Sequence, residues 1–267
     1  MSEEQEYCGI TEISVQGWVG EVTIITSAHY SRGEVAGITA TDIGGQQAPE
    51  SFEVRQVGNT LVITPSIPQS PPKAPAAGGG GAVVHGSVNT GGGAFVGGDQ
   101  VIIATGGGII HSGATAIREE TGPELMVIMA PDISVTLEDV SGKVSVQEIG
   151  DLVVGTNEDL LLTAKSVNNL NLCVSRGETV VREVRGDAKI IATLSAGITI
   201  QQGCSESLDV VNSGSGSVKH LGIVAGTCVL TNIGSGNIVV MEARGTLKIT
   251  REGRGSVSVL RRSEPLA

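Results

Sequence analysis

The chain has 267 residues, enough for one large domain or two small ones, yet it holds only two Phe, two Tyr and one Trp. That is too few aromatics for the core and pocket of an ordinary globular enzyme of this length. A formal charge of −11 disfavours nucleic acid as a partner, because affinity for phosphate backbones rests on Lys and Arg, and no apolar run reaches the ~18 residues that a membrane-spanning helix needs.

The N-terminus, Met1-Ser-Glu-Glu-Gln-Glu6, is acidic and lacks the apolar stretch of a secretory signal. This points to the cytoplasm, unless an export signal has been removed. Within residues 1–65 a short phrase then recurs, in which a turn residue is followed two and four positions later by apolar side chains. Gly20 leads to Val22 and Ile24, Glu50 to Phe52 and Val54, and Asn59 to Leu61 and Ile63. Alternation with a period of two is the signature of a strand, whose successive side chains leave on opposite faces. Residues 1–65 are therefore expected to be β-strands that begin a repeat architecture or pack on it.

Residues 66–123 are of a different material. Ile67-Pro-Gln-Ser-Pro-Pro-Lys-Ala-Pro75 reads as an extended linker, because proline cannot donate to a strand ladder. Gly86 to Asp99, Val101-Ile-Ile103 and Gly106-Gly-Gly-Ile-Ile110 return paired apolar residues between glycines, which suggests a glycine-rich β insert.

From residue 124 to 267 the phrase becomes regular and recurs about every ten residues. Pro131 leads to Ile133 and Val135; the inward pairs that follow are Val144/Val146, Leu152/Val154, Leu160/Leu162, Leu170/Leu172, Ala188/Ile190, Ile198/Ile200, Leu208/Val210, Ile238/Val240, Leu247/Ile249 and Val257/Val259. Units of nearly constant length with variable corners suit stacked coils. Hairpins would more often carry Asn-Gly or Asp-Gly, and the chain contains neither. The predicted fold is all-β: a parallel β-helix, or β-solenoid, with a glycine-rich insert and very little helix. With two units per coil of roughly 20 residues, it makes on the order of six or seven coils.

Three slots break the rule. Arg182, His220 and Cys228 fall where aliphatic residues are expected, and the unit at Glu178 is expected to bulge or shift register. The outward position between each pair is charged at Lys189, Asp209, Lys219 and Lys248 but apolar at Leu161, Val181 and Val239. Those three are expected to form one face, covered by the N-terminal segment or open to a partner.

The search for chemistry finds no active site. His29, His85, His111 and His220 are scattered, and Cys8, Cys173, Cys204 and Cys228 form no C-x-x-C, so no metal or cofactor site is predicted. The thiols read as buried and free, with a disulfide conceivable only after export. Ser213-Gly-Ser-Gly-Ser217 opens a strand rather than a helix and so is no phosphate cradle. Glu138/Asp139 and Glu158/Asp159 are adjacent pairs that would point to opposite faces, which suits neither arm of glycoside hydrolysis. Arg185-Gly-Asp187 matches an integrin-binding tripeptide but fits a repeat with glycine at its corners.

Ser141-Gly-Lys-Val-Ser-Val146, Ser213-Gly-Ser-Gly-Ser-Val218 and Ile233-Gly-Ser-Gly-Asn-Ile238 resemble the glycine-led phrases of the head GIN domain family. Gly20-Glu-Val-Thr-Ile24 and Asn59-Thr-Leu-Val-Ile63 match its N-terminal strands. The resemblance covers residues 10–65 and 124–260. It implies a bacterial β-helical domain of unknown function whose family name points to auto-transporter adhesins at the cell surface, with no catalytic residues to carry over. The expected function is that of a non-enzymatic, adhesin-like or structural β-solenoid, partnered by protein or by itself and not by carbohydrate. The alternatives are a self-assembling cytoplasmic scaffold resembling bactofilins and, less favoured, a polysaccharide-active β-helix enzyme.

Overall fold

The structure, a computed structural model, describes residues 7–42, 46–48, 51–66 and 123–263. The expected insert lies outside these residues apart from Ser66 and Pro123. Among the described residues the regular structure is almost all strand, with no α-helix. In chain order the strands are β1 (Glu12–Gln16), β2 (Val19–Thr26), β3 (Val35–Thr41), β4 (Phe52–Val57), β5 (Thr60–Pro65), β6 (Glu124–Met129), β7 (Ser134–Glu138), β8 (Ser141–Val184), β9 (Ala188–Ala192), β10 (Gly197–Asn212), β11 (Val218–Asn232), β12 (Ile238–Ala243), β13 (Leu247–Arg251) and β14 (Val257–Arg262). They form a parallel β-solenoid of about seven turns.

Two parallel stacks build it. One runs β5, β1, β7, β8, β9, β10, β11, β13; the other runs β6, β2, β8, β10, β11, β12, β14. Because each coil repeats the same alternation, like positions fall on one another in register. Leu170, Ala188, Leu208, Cys228 and Leu247 make one inward ladder, and Ile198, Val218, Ile238 and Val257 another. The interior is narrow and aliphatic, and each fully buried rung contributes about 1.5–3 kcal/mol relative to exposure. Small branched side chains fill such a tube in regular layers, which is why the chain needs so few aromatics.

The corner sequences have a geometric reason. A Cβ on Gly216 would run into the carbonyl oxygen of Ala196, one on Gly236 into that of Gly216, and one on Gly255 into that of Gly236. These positions need glycine because the coil above is close. Asn212 and Asn232 are fully buried and stack in register. Their side-chain amides donate across the turn to the carbonyls of Gly216 (3.0 Å) and Gly236 (2.7 Å), satisfying groups that would otherwise be buried unpaired. The ladder continues to Arg251 instead of a third asparagine.

The unit at Glu178 shifts register, as expected. Gly177 has φ +91, and Thr179 and Val181 pair with Ile198 and Ile200. Arg182 is consequently exposed, not inward. The shift overturns the expected placement of Val181, which is completely buried.

The N-terminal strands do not lie over an outer face. β1 sits between β5 and β7, parallel to both, and β2 sits between β6 and the first stretch of β8, parallel to both. Although β6 and β7 are consecutive, they flank the β1–β2 coil from opposite sides. The coil is therefore threaded into the stack by a remote part of the chain. Trp18, at its corner, is fully buried, and its carbonyl accepts the Ser141 amide at 2.9 Å. On the outside, Glu12 accepts hydrogen bonds from Thr136 (2.6 Å) and Thr60 (3.3 Å), and Lys143 meets Glu21 at 2.6 Å.

The two ends differ. At one, β3 lies antiparallel on β6 and β4 antiparallel on β5, so parallel stacking stops there. The β4–β5 turn, with Gly58 at φ +63, is a hairpin of the kind not expected from the dipeptides. At the other end β13 pairs with β11 and β14 with β12, and among the described residues neither has a second neighbour.

Candidate functional site

Of the three residues expected on one apolar face, Leu161 is 48% exposed, Val239 is half-buried and Val181 is core. The outward ladder through this region reads Val180, Thr199, Lys219, Val239, Ser258. Polar and charged side chains interrupt it, so the three do not form a continuous apolar stripe. Leu161 instead borders a wide, open depression of about 540 Å³ with Gly142, Lys143, Asp159, Gly177 and Glu178. A depression open to solvent does not exclude water and holds no convergent set of reactive groups.

The irregular slots are interior features. His220 is 1% exposed and stands in register between Ile200 and Val240. Its Nε2 lies 3.0 Å from the hydroxyl of the buried Ser205. Desolvation pushes its pKa from 6.5 down to about 4, so the folded chain holds it neutral. This gives a pH prediction. The folded pKa lies below the unfolded one, so the stability due to the neutral ring is complete above pH 6.5 and is lost as pH falls towards 4, by at most about 3 kcal/mol. Urea titrations across that window should show it. His220→Leu should flatten that limb, and an unchanged pH profile in the variant would rule out His220 as its source.

Cys228 is buried, and burial raises its thiol pKa to about 11. Cys8, Cys173 and Cys204 are exposed and free, which corrects the expectation that the thiols are buried. Cys173 is outward because its neighbours Leu172 and Val174 take the inward positions. A thiol reagent should therefore label three cysteines in the folded protein and the fourth only after denaturation. Fast labelling of all four would show that the β11 coil opens.

Arg185 pairs with Glu148 (3.2 Å) and Glu183 (3.5 Å), and Asp187 accepts from the Ser207 hydroxyl at 2.6 Å. The tripeptide Arg185-Gly186-Asp187 is thus tied into the wall. Asp139 occupies a turn with φ +50, and Asp159 is exposed and shares the rim of the open depression with Glu178. Of the histidines, His29 is exposed, while His85 and His111 lie outside the described residues. Among the described residues no group of three or more His, Cys, Asp or Glu is placed to hold a metal, and no helix is long and apolar enough to cross a membrane.

What remains is the unpaired end. There the inward rungs are uncovered: Leu247, Val257 and Val259 are half-buried and Ile249 is 46% exposed, and beside them the outward Leu260 is 60% exposed. Equivalent rungs in the preceding coil, Cys228, Leu230, Ile238 and Val240, are fully buried. Around the rim stand Lys248, Arg251, Arg254, Arg261 and Arg262, all exposed. Nothing in the sequence pattern signals that they ring an open sheet edge.

This architecture has a solved counterpart. The crystal structure of a Bacteroides fragilis protein described as a "putative adhesin" superposes with a TM-score of 0.50 and 12% sequence identity, over 97% of this chain and 95% of that one. At that identity the likeness is one of fold. No protein-family model matches the sequence, and no curated protein matches it.

Proposed function

We propose that this protein is a non-enzymatic, adhesin-like interaction protein whose solenoid presents its outer surface and its unpaired end to another protein, in the manner of the head GIN domain family. The observation that carries this reading is the uninterrupted wall. Its most reactive side chains lie inside the wall, His220 against Ser205 and Cys228 in the core, or are tied in pairs along the surface, as with Arg185. The fold shared with the Bacteroides fragilis protein supports the same reading. The antiparallel strands β3 and β4 at one end favour it over a bactofilin-like filament, because coil-on-coil growth requires an end that accepts parallel strands. Immobilised full-length protein should capture a saturable protein ligand from cell-surface extracts and release no product from acidic glycans. Product formation, or filaments by electron microscopy with no captured ligand, would overturn the reading.

A further inference from the structure

The unpaired end combines three properties that occur together nowhere else among the described residues. The first is hydrogen-bonding capacity. Among the described residues β13 and β14 each pair on one side only, which leaves alternate N–H and C=O groups along both strands facing outward, a template for a further strand. The second is apolar area. Leu247, Ile249, Val257 and Val259 continue ladders that are sealed in every coil above, and a strand laid on them would extend the same interior.

The third property is charge, which selects the occupant. Lys248, Arg251, Arg254, Arg261 and Arg262 are five of the 17 Lys and Arg, while Glu252 is one of 28 Asp and Glu. None of the five basic residues is in an ion pair among the described residues. A chain of net charge −11 thus concentrates positive charge at the edge where the described residues leave backbone groups unpaired, with Arg261 alone of the five coupled to an acid, Glu242 on the neighbouring strand. A second copy joined end to end about a two-fold axis would set this arginine rim against itself, and like-charge juxtaposition opposes that arrangement. Polyanions such as nucleic acid or sulfated glycan would satisfy the charges but not the alternating donors and acceptors of the edge. A polypeptide carrying carboxylates on one face of a strand satisfies all three.

We infer that β13 and β14 form a docking edge for an acidic, extended segment of a partner protein, which adds as the next rung of the solenoid and pairs its carboxylates with the arginine rim. This rests on the proposed interaction function and names the partner chemistry at one surface.

The test uses full-length protein and fluorescence anisotropy with three labelled probes: a peptide alternating Glu with Val, the same peptide interrupted by prolines, and heparin. The Glu/Val peptide should bind saturably, and proline interruption, which removes backbone donors, should weaken it by at least about tenfold. Arg254→Glu combined with Arg261→Glu should weaken it by about tenfold or more, and added salt should weaken it further. Both substitutions are at exposed positions, and circular dichroism checks that the variant is folded. No binding of the Glu/Val peptide overturns the inference, as does equal binding of the prolyl peptide or preferential binding of heparin. A dimer at working concentration that is lost on Leu260→Lys would assign the edge to a second copy. Peptide binding only after removal of residues 264–267 would assign it to the chain's own tail. Either result also overturns the inference. Repeating the surface-extract capture with the double Arg variant separates the two proposals: capture that survives while peptide binding is absent leaves the interaction function standing and removes only this edge.

Discussion

Gly236→Ala is expected to destabilise the protein by about 3 kcal/mol or more, a large effect for the addition of one methyl group at a turn. The new Cβ would collide with the carbonyl oxygen of Gly216 in the coil above. That oxygen belongs to the backbone and is already held by the Asn212 amide, so it has no flexible end that could swing away. Relief requires the two coils to separate. Separation would strain the amide contacts that tie these two turns together, among them Gly236 N–H to Gly214 O at 3.0 Å and Gly234 N–H to Asn212 O at 3.1 Å. Ser235 is exposed between the two glycines, and Ser235→Ala should change stability by no more than about 0.5 kcal/mol. Urea denaturation of the two variants gives the comparison. Equal stability would mean that the corners yield and that the glycines are not required by coil spacing.

Trp18→Ala should cost about 3–5 kcal/mol, the range for deleting a large buried aromatic. Trp18 is fully buried in an otherwise aliphatic interior, and it stands at the corner of the coil threaded between β6 and the rest of the stack. Its loss would leave a cavity where β1, β2, β7 and β8 depend on one another. The indole Nε1 is buried with no hydrogen-bond partner, which is itself unfavourable. Trp18→Phe should therefore cost no more than about 1.5 kcal/mol, because it keeps most of the volume and removes the unsatisfied donor. Denaturation followed by circular dichroism reads both variants. A Phe variant as damaged as the Ala variant would show that the indole nitrogen is used. Because Trp18 is the single tryptophan, wild-type fluorescence also reports whether the threaded coil unfolds with the β10–β14 coils or before them.

The solenoid was legible because its cause is local. Each turn residue followed by alternating apolar residues sets the inward rungs of its own strand, and stacking in register follows from repeating the phrase. Ile198, Leu208 and Ile238 could therefore be assigned to the interior from spacing alone, and so could the misfits His220 and Cys228. Val181 was misplaced because one residue of register shift at Gly177 exchanges every inward side chain for its outward neighbour. That shift depends on φ +91 at a glycine, which composition does not report. The glycine-led corner phrases have a direct physical reading, since both glycines of the Gly234-Ser-Gly236 corner lie under backbone of the preceding coil.

By itself, the sequence determined the β-solenoid and its aliphatic interior, because these follow from a period of two repeated at short intervals. The tertiary structure alone decided three further features: the threading of β1 and β2 between β6 and β8, the antiparallel finish at one end, and the unpaired basic edge at the other. Each depends on which strands meet across long stretches of chain, and a local pattern that makes every coil look alike says nothing about the order in which the coils stack or where the stacking stops.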